Sequence, residues 1–341
     1  MVSQRNRAGT TARLTGLAAL GSLLGAVAPT ASADDSAFFV TYFNNGIVQG
    51  GGTFGTIDLN TGVVSPSASQ SPPCCSHTYS SGVGFVGIGV TNGTLYAATA
   101  PVTPGESFTP PVANGVNPPV QTSEIINFHS GHSTSFVGDT NHNAADFGST
   151  TTGGLYLIGQ GGGVQSISST DAAPTPVGLL TLGLGGPALS AYGAGVNSSG
   201  VSTGSSSLFL AINSTLYTVN TTPGPGGGAA TQLGSTTDGN RLYDITAMVY
   251  ENGTLYGYAY DANWASNNDY NSYVVELNQT TGAVIGDQTI TGPAGYDASI
   301  DNVIVGLADV SSVTSVPEPA TLGLLGLGIA GLSFTRKRKS S

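Results

Sequence analysis

Two stretches of the chain read almost alike: Val90-Thr91-Asn92-Gly93-Thr94-Leu95-Tyr96 and Tyr250-Glu251-Asn252-Gly253-Thr254-Leu255-Tyr256. Each places an Asn-Gly pair between two short runs of β-branched, aromatic and aliphatic residues. Both central residues of a type I′ turn need positive φ, which Asn and Gly tolerate. Each stretch therefore predicts a β-hairpin whose turn is the Asn-Gly pair.

Parts of this phrase recur elsewhere in the chain. The shorter copies are Ile212-Asn213-Ser214-Thr215-Leu216-Tyr217 and Gly153-Gly154-Leu155-Tyr156. The leucines of the four copies, Leu95, Leu155, Leu216 and Leu255, are 60, 61 and 39 residues apart. Repeats of about 40 to 60 residues with several strands each are typical of β-propeller blades.

A second phrase also occurs twice. Ile57-Asp58-Leu59-Asn60-Thr61-Gly62-Val63 returns in part as Val275-Glu276-Leu277-Asn278, followed by Thr281-Gly282-Ala283-Val284. Each copy reads as a strand, a polar turn and another strand. Both phrases resemble those of irregular secreted β-propeller proteins.

The apolar residues between positions 37 and 310 lack helical periodicity and fall in short runs bounded by Gly, Asn and Pro. We predict an all-β domain, an irregular β-propeller of five to seven blades, with a β-sandwich or a β-solenoid as the alternatives. In a propeller, the late strand at residues 302–307 is expected to pair with the first strand at 38–43. This pairing would close the ring and hide the edge strands.

Charge is distributed very unevenly along the 341 residues. From position 34 to position 316 the chain has 18 Asp and Glu against the single cation Arg241, a formal charge of −17. Such a surface repels phosphate backbones, so we expect no nucleic-acid partner.

The N-terminus has the order of a secretory signal. Three arginines precede position 14, a Leu/Ala/Gly-rich stretch follows, and Ala31-Ser32-Ala33 offers signal peptidase its small-x-small pattern. We expect a signal helix within residues 1–33, with cleavage after Ala33. Residues 34–312 would then form the extracellular all-β domain.

The C-terminus, residues 313–341, combines three features. Pro317-Glu318-Pro319 leads into an apolar run at 320–334, which is followed by Arg336, Lys337, Arg338 and Lys339. The run's 15 residues reach about 22 Å as a helix, so a transmembrane helix here is short compared with the ~30 Å hydrocarbon core. The basic residues would stop transfer and stay on the cytoplasmic side.

These features, in this order, resemble the PEP-CTERM sorting signal of Gram-negative bacteria over about residues 316–341. The resemblance implies recognition by exosortase, a membrane transpeptidase. It implies transient anchoring in the inner membrane, removal of the C-terminal segment, and a final place at the cell surface or in the extracellular matrix. It implies nothing about the activity of the central domain.

The mature region has two cysteines, the neighbours Cys74 and Cys75. Export to an oxidising compartment permits a disulfide. Three states of these cysteines remain possible: a strained disulfide between the two neighbours, two free thiols, or disulfides to another chain.

Three of the four histidines, His129, His132 and His142, fall within fourteen residues and form the best candidate for a zinc site. Their spacing lacks the helical i, i+4 pattern of zinc proteases, so we expect that they do not converge. Two acidic segments, 139–146 and 261–271, partly match calcium loops. Asx turns are the preferred explanation of both segments, so we expect no cofactor beyond weak Ca²⁺ binding. No catalytic residues can be assigned.

Aromatic residues are concentrated between Tyr250 and Tyr273, a stretch that holds seven of the chain's 26 Phe, Tyr and Trp residues, its one Trp included. Four of them are candidates for a glycan-binding platform: Tyr258, Tyr260, Trp264 and Tyr270. The competing interpretation is that alternate tyrosines on one strand face fill a core between sheets.

Two functions follow. The first is a secreted or surface-anchored, non-catalytic protein of the exopolysaccharide or biofilm layer that binds extracellular polysaccharide. The alternative is a metal-dependent propeller hydrolase or lyase acting on an extracellular polymer.

Overall fold

The structure is a computed structural model that describes residues 35–43, 54–66, 83–101, 123–129, 133–139, 144–150, 152, 154–159, 161–183, 199–205, 207–294, 296 and 302–310. The predicted signal helix, the sorting segment, Cys74 and Cys75 lie outside these residues. Within the described ranges no helix is long and apolar enough to cross a membrane, and the apolar run at 320–334 is not among them.

The described strands form four hydrogen-bonded sheets of four, eight, five and four strands. The eight-stranded sheet consists of two antiparallel four-stranded halves joined by a single parallel bridge between Gly87 and Phe147, so the strands divide into five blades. Blade 1 contains β1 (Ser36–Phe43), β2 (Phe54–Asp58), β3 (Val64–Pro66) and the last strand, β21 (Asn302–Asp309). Blade 2 contains β4 (Val83–Thr91), β5 (Thr94–Pro101), β6 (Glu124–His129) and β7 (Ser133–Asp139). Blade 3 contains β8 (Ala144–Thr150), β9 (Gly154–Gly159), β10 (Gly163–Ile167) and β11 (Pro174–Leu179).

Blade 4 contains β13 (Ser199–Val201), β14 (Leu208–Ile212), β15 (Thr215–Val219) and β16 (Ala229–Ser235), with β12 (Thr181–Leu182) added in parallel to its outer edge. Blade 5 contains β17 (Tyr243–Glu251), β18 (Thr254–Asp261), β19 (Ser272–Leu277) and β20 (Val284–Thr289). A four-residue helix, α1 (Trp264–Asn267), lies between β18 and β19. The domain is therefore all-β, as predicted.

Neighbouring blades pack through five separate apolar cores. In ring order, the cores include Val40 and Ile88 (blades 1 and 2), Ile125 and Leu157 (2 and 3), Ile158 and Leu210 (3 and 4), Ala211 and Val275 (4 and 5), and Val274 and Phe39 (5 and 1). Both faces of every blade are thus buried against a neighbour, and the fifth core returns to the first blade. The fold is a closed β-propeller with five blades in the described residues.

The ring closes in the way the sequence predicts. Strand β21 is the innermost strand of blade 1 and pairs antiparallel with β1, from Ala37↔Asp309 to Phe43↔Asn302. The innermost strands β17 and β21 run in parallel. Near their starts, the Thr246 hydroxyl donates a hydrogen bond to the Ile304 carbonyl. Near their ends, the Tyr250 N–H donates to the Thr203 carbonyl, and the Thr203 hydroxyl donates to the Leu307 carbonyl. We call the end where β17 and β21 begin the upper end, and the end where they finish the lower end.

The two repeated phrases form the predicted turns. Asn92 and Gly93 have φ of 50° and 74°, and Asn252 has φ of 48°, so both Asn-Gly hairpins adopt the expected positive φ. In the second phrase, Asp58 Oδ1 accepts the N–H groups of the second and third residues that follow it, at 2.9 and 3.0 Å. Asn278 Oδ1 does the same at 2.9 and 3.0 Å.

Outer strands also touch the following blade at one recurring place. Gly234, near the end of β16, lies against the carbonyl of Thr281 in the turn after β19, and a methyl group on Gly234 would overlap that oxygen. Gly178 of blade 3 meets Gly227 of blade 4 in the same manner. Glycine at these positions lets neighbouring blades approach to backbone contact.

Candidate functional site

Within the described ranges, the segment 262–271 at the upper end of blade 5 combines the exposed ring of Tyr270 and the half-buried ring of Trp264 with several exposed asparagines. We call this segment the aromatic loop. It leaves β18 after Asp261, forms α1, and enters β19 at Ser272. Because Asp261 pairs with Tyr243, the first residue of β17, the loop lies at the upper end of the propeller.

A buried carboxylate holds the start of the loop. Asp261 is fully buried, and its two oxygens accept hydrogen bonds from the Asn263 N–H at 2.8 Å and from Asn267 Nδ2 at 2.6 Å. The helix then ends at Asn268, which adopts the left-handed conformation with φ of 54°. Asn tolerates this conformation better than most residues.

The chain reversal at Asn268 brings the two aromatic rings of the loop together. The Asp269 N–H donates to the Trp264 carbonyl at 3.0 Å, and Tyr270 folds back beside Trp264. Their ring centroids are 5.3 Å apart at an interplanar angle of 56°. Tyr270 is 48% exposed, whereas Trp264 is half-buried. The result is a tilted aromatic surface with Asn263, Asn267 and Asn271 exposed around it.

Arg241, the single cation of the central region, supports this surface from the connection between blades 4 and 5. Its guanidinium lies 3.7 Å from Asp269 and 3.5 Å from Asp287, and its Cζ is 5.1 Å from the centre of the Tyr273 ring. The Tyr273 hydroxyl in turn donates to Asp269 Oδ2 at 2.6 Å. Arg241 therefore joins the aromatic loop to β19 and β20.

These contacts change the acidity of both partners. Burial opposes ionisation of Asp269, but hydrogen bonds from Tyr273 and Asn271 and the charge of Arg241 outweigh it, so the pKa of Asp269 is lowered. Burial, followed by the hydrogen bond to Asp269 and its charge, raises the pKa of Tyr273 to about 12. The carboxylate is thus ionised and the phenol neutral at ordinary pH.

The structure separates the four residues predicted as a glycan platform. Trp264 and Tyr270 come together in the aromatic loop, and Tyr260 is half-buried at the end of β18. Tyr258 is different: it is 2% exposed in the core between blades 5 and 1, and its hydroxyl donates to Ser272 Oγ at 2.7 Å. Tyr258 is a core residue because its strand face packs against blade 1, so it offers no surface to a ligand.

A pair of buried acids lies below the loop. Asp244, at the start of β17, is 5% exposed and accepts a 2.5 Å hydrogen bond from Ser214. Burial, with a contribution from the charge of Asp261, raises the pKa of Asp244. Such a carboxyl is chemically suited to proton transfer, but the side chains of both acids are enclosed by the fold.

Of the predicted metal ligands, His129 is the last residue of β6, while His132 and His142 lie outside the described residues. Among the residues that the structure describes, no group of three or more His, Cys, Asp or Glu is close enough to hold a metal ion. In the acidic segment 261–271, the carboxylates of Asp261 and Asp269 accept hydrogen bonds from nearby asparagines.

An open depression of ≈ 390 Å³ lies at the lower end of the same blade. It is lined by Gly253, Thr254, residues 276–280 and Ile285. The polar side chains of Asn278 and Gln279 in its wall already bond to the backbone of the turns, Gln279 to the Gly253 carbonyl at 2.9 Å. No aromatic ring of the described residues lines this depression, which distinguishes it from the upper end.

Sequence reasoning missed Arg241, Tyr273 and Asp287 as parts of the site. They come from three different segments of the chain, and no local motif connects them. The one available signal was the isolation of Arg241 among 18 acids, since a lone cation in such a chain is expected to be paired.

Comparison with known proteins identifies the C-terminal segment. Residues 315–339 match the PEP-CTERM protein-sorting motif. The PEP-CTERM motif indicates a secreted protein that is processed by exosortase and anchored transiently in the membrane by its C-terminus. No curated protein sequence matches the chain.

Solved structures similar to the chain include three from different sources. An exo-1,5-α-L-arabinanase from a bovine ruminal metagenomic library is 15% identical, with 75% of this chain and 92% of that chain covered and a TM-score of 0.43. An exo-β-1,3-galactanase from Phanerochaete chrysosporium is 11% identical, with coverage of 71% and 56% and a TM-score of 0.43. The allergen Mala s 1 of Malassezia sympodialis is 10% identical, with coverage of 74% and 75% and a TM-score of 0.37.

Proposed function

We propose that this protein is a non-catalytic, glycan-binding β-propeller of the exopolysaccharide or biofilm layer, delivered there by its PEP-CTERM signal. The observation that carries the proposal is the pair formed by half-buried Trp264 and exposed Tyr270, whose ring centroids are 5.3 Å apart and which exposed asparagine side chains surround. The C–H faces of sugar rings stack on aromatic rings, while amides hydrogen-bond the hydroxyls. The composition of the aromatic loop therefore suits polysaccharide binding.

The charge of the site favours a neutral polymer. Arg241 is already engaged by Asp269 and Asp287, and the central region has a formal charge of −17. An anionic polysaccharide would be repelled, whereas a neutral or amide-bearing one would not.

The chain offers a sensitive test because Trp264 is its only tryptophan. Selectively excited tryptophan emission therefore reports on the aromatic loop alone. We expect the native extracellular polysaccharide to change the Trp264 emission with a saturable dose dependence. Tyr270→Ala should weaken binding by about 3- to 10-fold, because one aromatic contact is lost.

The matched control is Ile285→Ala, which removes a 61% exposed apolar side chain from the lower end of the same blade. It should leave affinity unchanged. Trp264→Ala should reduce retention on immobilised polysaccharide while the melting temperature stays close to that of the wild type. Unchanged retention of both aromatic variants would refute the proposal.

The metal-dependent hydrolase or lyase has its candidate ligands in His129, His132 and His142. A different, metal-independent hydrolase would use Asp244 and Asp261, the buried acids beneath the loop. It expects the wild type to release reducing ends from the polymer and Asp244→Asn to abolish that release. We propose the non-catalytic role because Asp244 is 5% exposed and Asp261 is fully buried.

A further inference from the structure

Three carboxylates surround the single cation beside the aromatic loop. The Arg241 guanidinium lies 3.7 Å from Asp269 and 3.5 Å from Asp287. Asp238 belongs to the same group, because the Tyr243 hydroxyl lies 3.3 Å from its Oδ2 and 3.1 Å from Asp287 Oδ2. One guanidinium and three carboxylates leave a net charge of −2 next to the loop.

These carboxylates keep their charge at ordinary pH, and two of them reach solvent. The Arg241 N–H donates to Asp238 Oδ1 at 2.6 Å, and this hydrogen bond lowers the pKa of the exposed Asp238 carboxyl. Asp269 is ionised as well. The Asp287 side chain is 36% exposed. Asp238 and Asp287 can therefore attract a positively charged group of a ligand.

The protein's own cation illustrates how a positive group binds at this end of the blade. Arg241 Cζ lies 5.1 Å from the centre of the Tyr273 ring, with a carboxylate on either side. The face of an aromatic ring attracts a cation through its quadrupole. Trp264 and Tyr270 form a second aromatic pair, and Asp269 joins the two groups because its N–H donates to the Trp264 carbonyl at 3.0 Å. A cationic ligand would meet aromatic rings and nearby carboxylates together, as Arg241 does.

The charge of the whole domain acts in the same direction. Between positions 34 and 316 the chain has 18 acids and one cation, a formal charge of −17. A surface of one sign raises the local concentration of oppositely charged ligands and speeds their association. The charge that places neutral polysaccharides above anionic ones therefore also places cationic polysaccharides above neutral ones.

We propose that the aromatic loop prefers polysaccharides that carry free amino groups, such as a partly N-deacetylated polymer of amino sugars. The carboxylates around Arg241 attract the ammonium groups, while the sugar rings stack on Trp264 and Tyr270. This inference rests on the proposed function and names the class of sugar that the same site takes.

Two oligosaccharides that differ only in charge test the preference. One is an oligomer of β-1,4-linked glucosamine with free amines, and the other is the same oligomer with every amine N-acetylated. Both are titrated calorimetrically into the full chain, at a pH where the free amines are protonated. We expect the amine form to bind about 10-fold more tightly at low ionic strength, and this advantage to shrink in high salt because exposed charges are screened.

Variants of single carboxylates locate the preference. Asp238→Asn and Asp287→Asn keep the shape of the side chain and remove its charge, so each should weaken binding of the amine form by about 2- to 5-fold. Binding of the N-acetylated form should stay the same. Asp171→Asn is the matched control, because it removes one exposed carboxylate from the turn between β10 and β11 in blade 3. It should leave the preference unchanged.

Equal affinities for the two oligomers, or no binding of either, would overturn the preference for amino groups. The proposed function is decided separately, by retention of the aromatic variants on the native polysaccharide. Undiminished binding of the amine form to both Trp264→Ala and Tyr270→Ala would also overturn the inference, since a polycation would then bind the acidic surface at large. The same holds if Asp171→Asn weakens binding as much as Asp287→Asn does.

Discussion

The guanidinium of Arg241 lies over the ring of Tyr273, with 5.1 Å between Cζ and the ring centroid, and contacts Asp269 and Asp287 on either side. Tyr273 also packs edge-on against Tyr243, with ring centroids 5.8 Å apart. A single cation thus connects the aromatic loop, the third strand and the fourth strand of blade 5.

Replacing this cation should loosen the aromatic loop. Arg241→Gln leaves Asp269 and Asp287 without the charge between them, and we expect a loss of about 1 kcal/mol in the free energy of unfolding, since the side chain is 39% exposed. Urea denaturation followed by Trp264 fluorescence measures the loss. Arg241→Lys keeps the charge and should recover part of it. If the loss of unfolding free energy in Arg241→Gln is as large in high salt as in low salt, the electrostatic explanation is contradicted.

Asp269 should make stability depend on acid pH. Its pKa is lowered in the fold, so its contribution is complete above the unfolded value of about 3.9 and is lost as pH falls through the lower folded value. Asp269→Asn should therefore be less stable than the wild type at pH 7, and the difference should begin to narrow as the pH falls below about 4. Melting curves between pH 7 and 3 measure this, and a constant gap over that range would disprove it.

Asp244 should behave in the opposite sense. Its pKa is raised by burial and by Asp261, so its ionised form costs stability as pH rises through the folded value. Asp244→Asn still accepts the hydrogen bond from Ser214 and removes the repulsion from Asp261. We expect this variant to melt no lower than the wild type at pH 7, with its relative advantage falling as the pH is lowered. A large drop in melting temperature at pH 7 would show that the charge is needed.

Tyr258 should affect stability and leave polysaccharide affinity unchanged. Tyr258→Phe removes the hydroxyl that donates to buried Ser272, at a cost of about 1 kcal/mol. Tyr258→Ala should cost about 3 to 5 kcal/mol, because a large buried aromatic side chain is lost. Calorimetry and polysaccharide titration of the Phe variant separate the two roles. If Tyr258→Phe binds polysaccharide more weakly while its stability is unchanged, Tyr258 is part of the binding site.

The close approach of neighbouring blades should be intolerant of a methyl group. Gly234→Ala would overlap the Thr281 carbonyl, and we expect a loss of about 1 to 3 kcal/mol. Gly286→Ala is the matched control, because a methyl group there meets nothing within 4 Å. Chemical denaturation of the pair checks this, and equal stability would mean that the blades can move apart freely.

The parts of the fold that were predictable are those encoded by local turn chemistry. The Asn-Gly pairs fix two hairpins, Asp58 and Asn278 fix two more turns, and the apolar strand at 302–307 has the right partner in β1. Blade 4 departs from the repeat. In blade 4, the Thr-Leu-Tyr phrase that starts at Thr215 begins the third strand. In blades 2 and 5, the same phrase starts at Thr94 and Thr254 and begins the second strand.

The candidate site was predictable only where neighbours in sequence are neighbours in space. Trp264 and Tyr270 meet because one short helix reverses the chain between them. Alternation along β18 placed Tyr258 and Tyr260 on one face, but it carried no information on whether another blade covers that face. Arg241 reaches the loop from the preceding connection, and only the packing of blade 5 brings it there.

The closing strand also sets an order of events during export. A chain that crosses the membrane from its N-terminus delivers β1 first and β21 last, so blade 1 stays without its innermost strand until almost the whole domain has crossed. The sorting motif follows only five residues later. A chain that breaks off before β21 would lack both a closed ring and the sorting motif. Completion of the ring and eligibility for exosortase processing therefore depend on the same short stretch of the polypeptide.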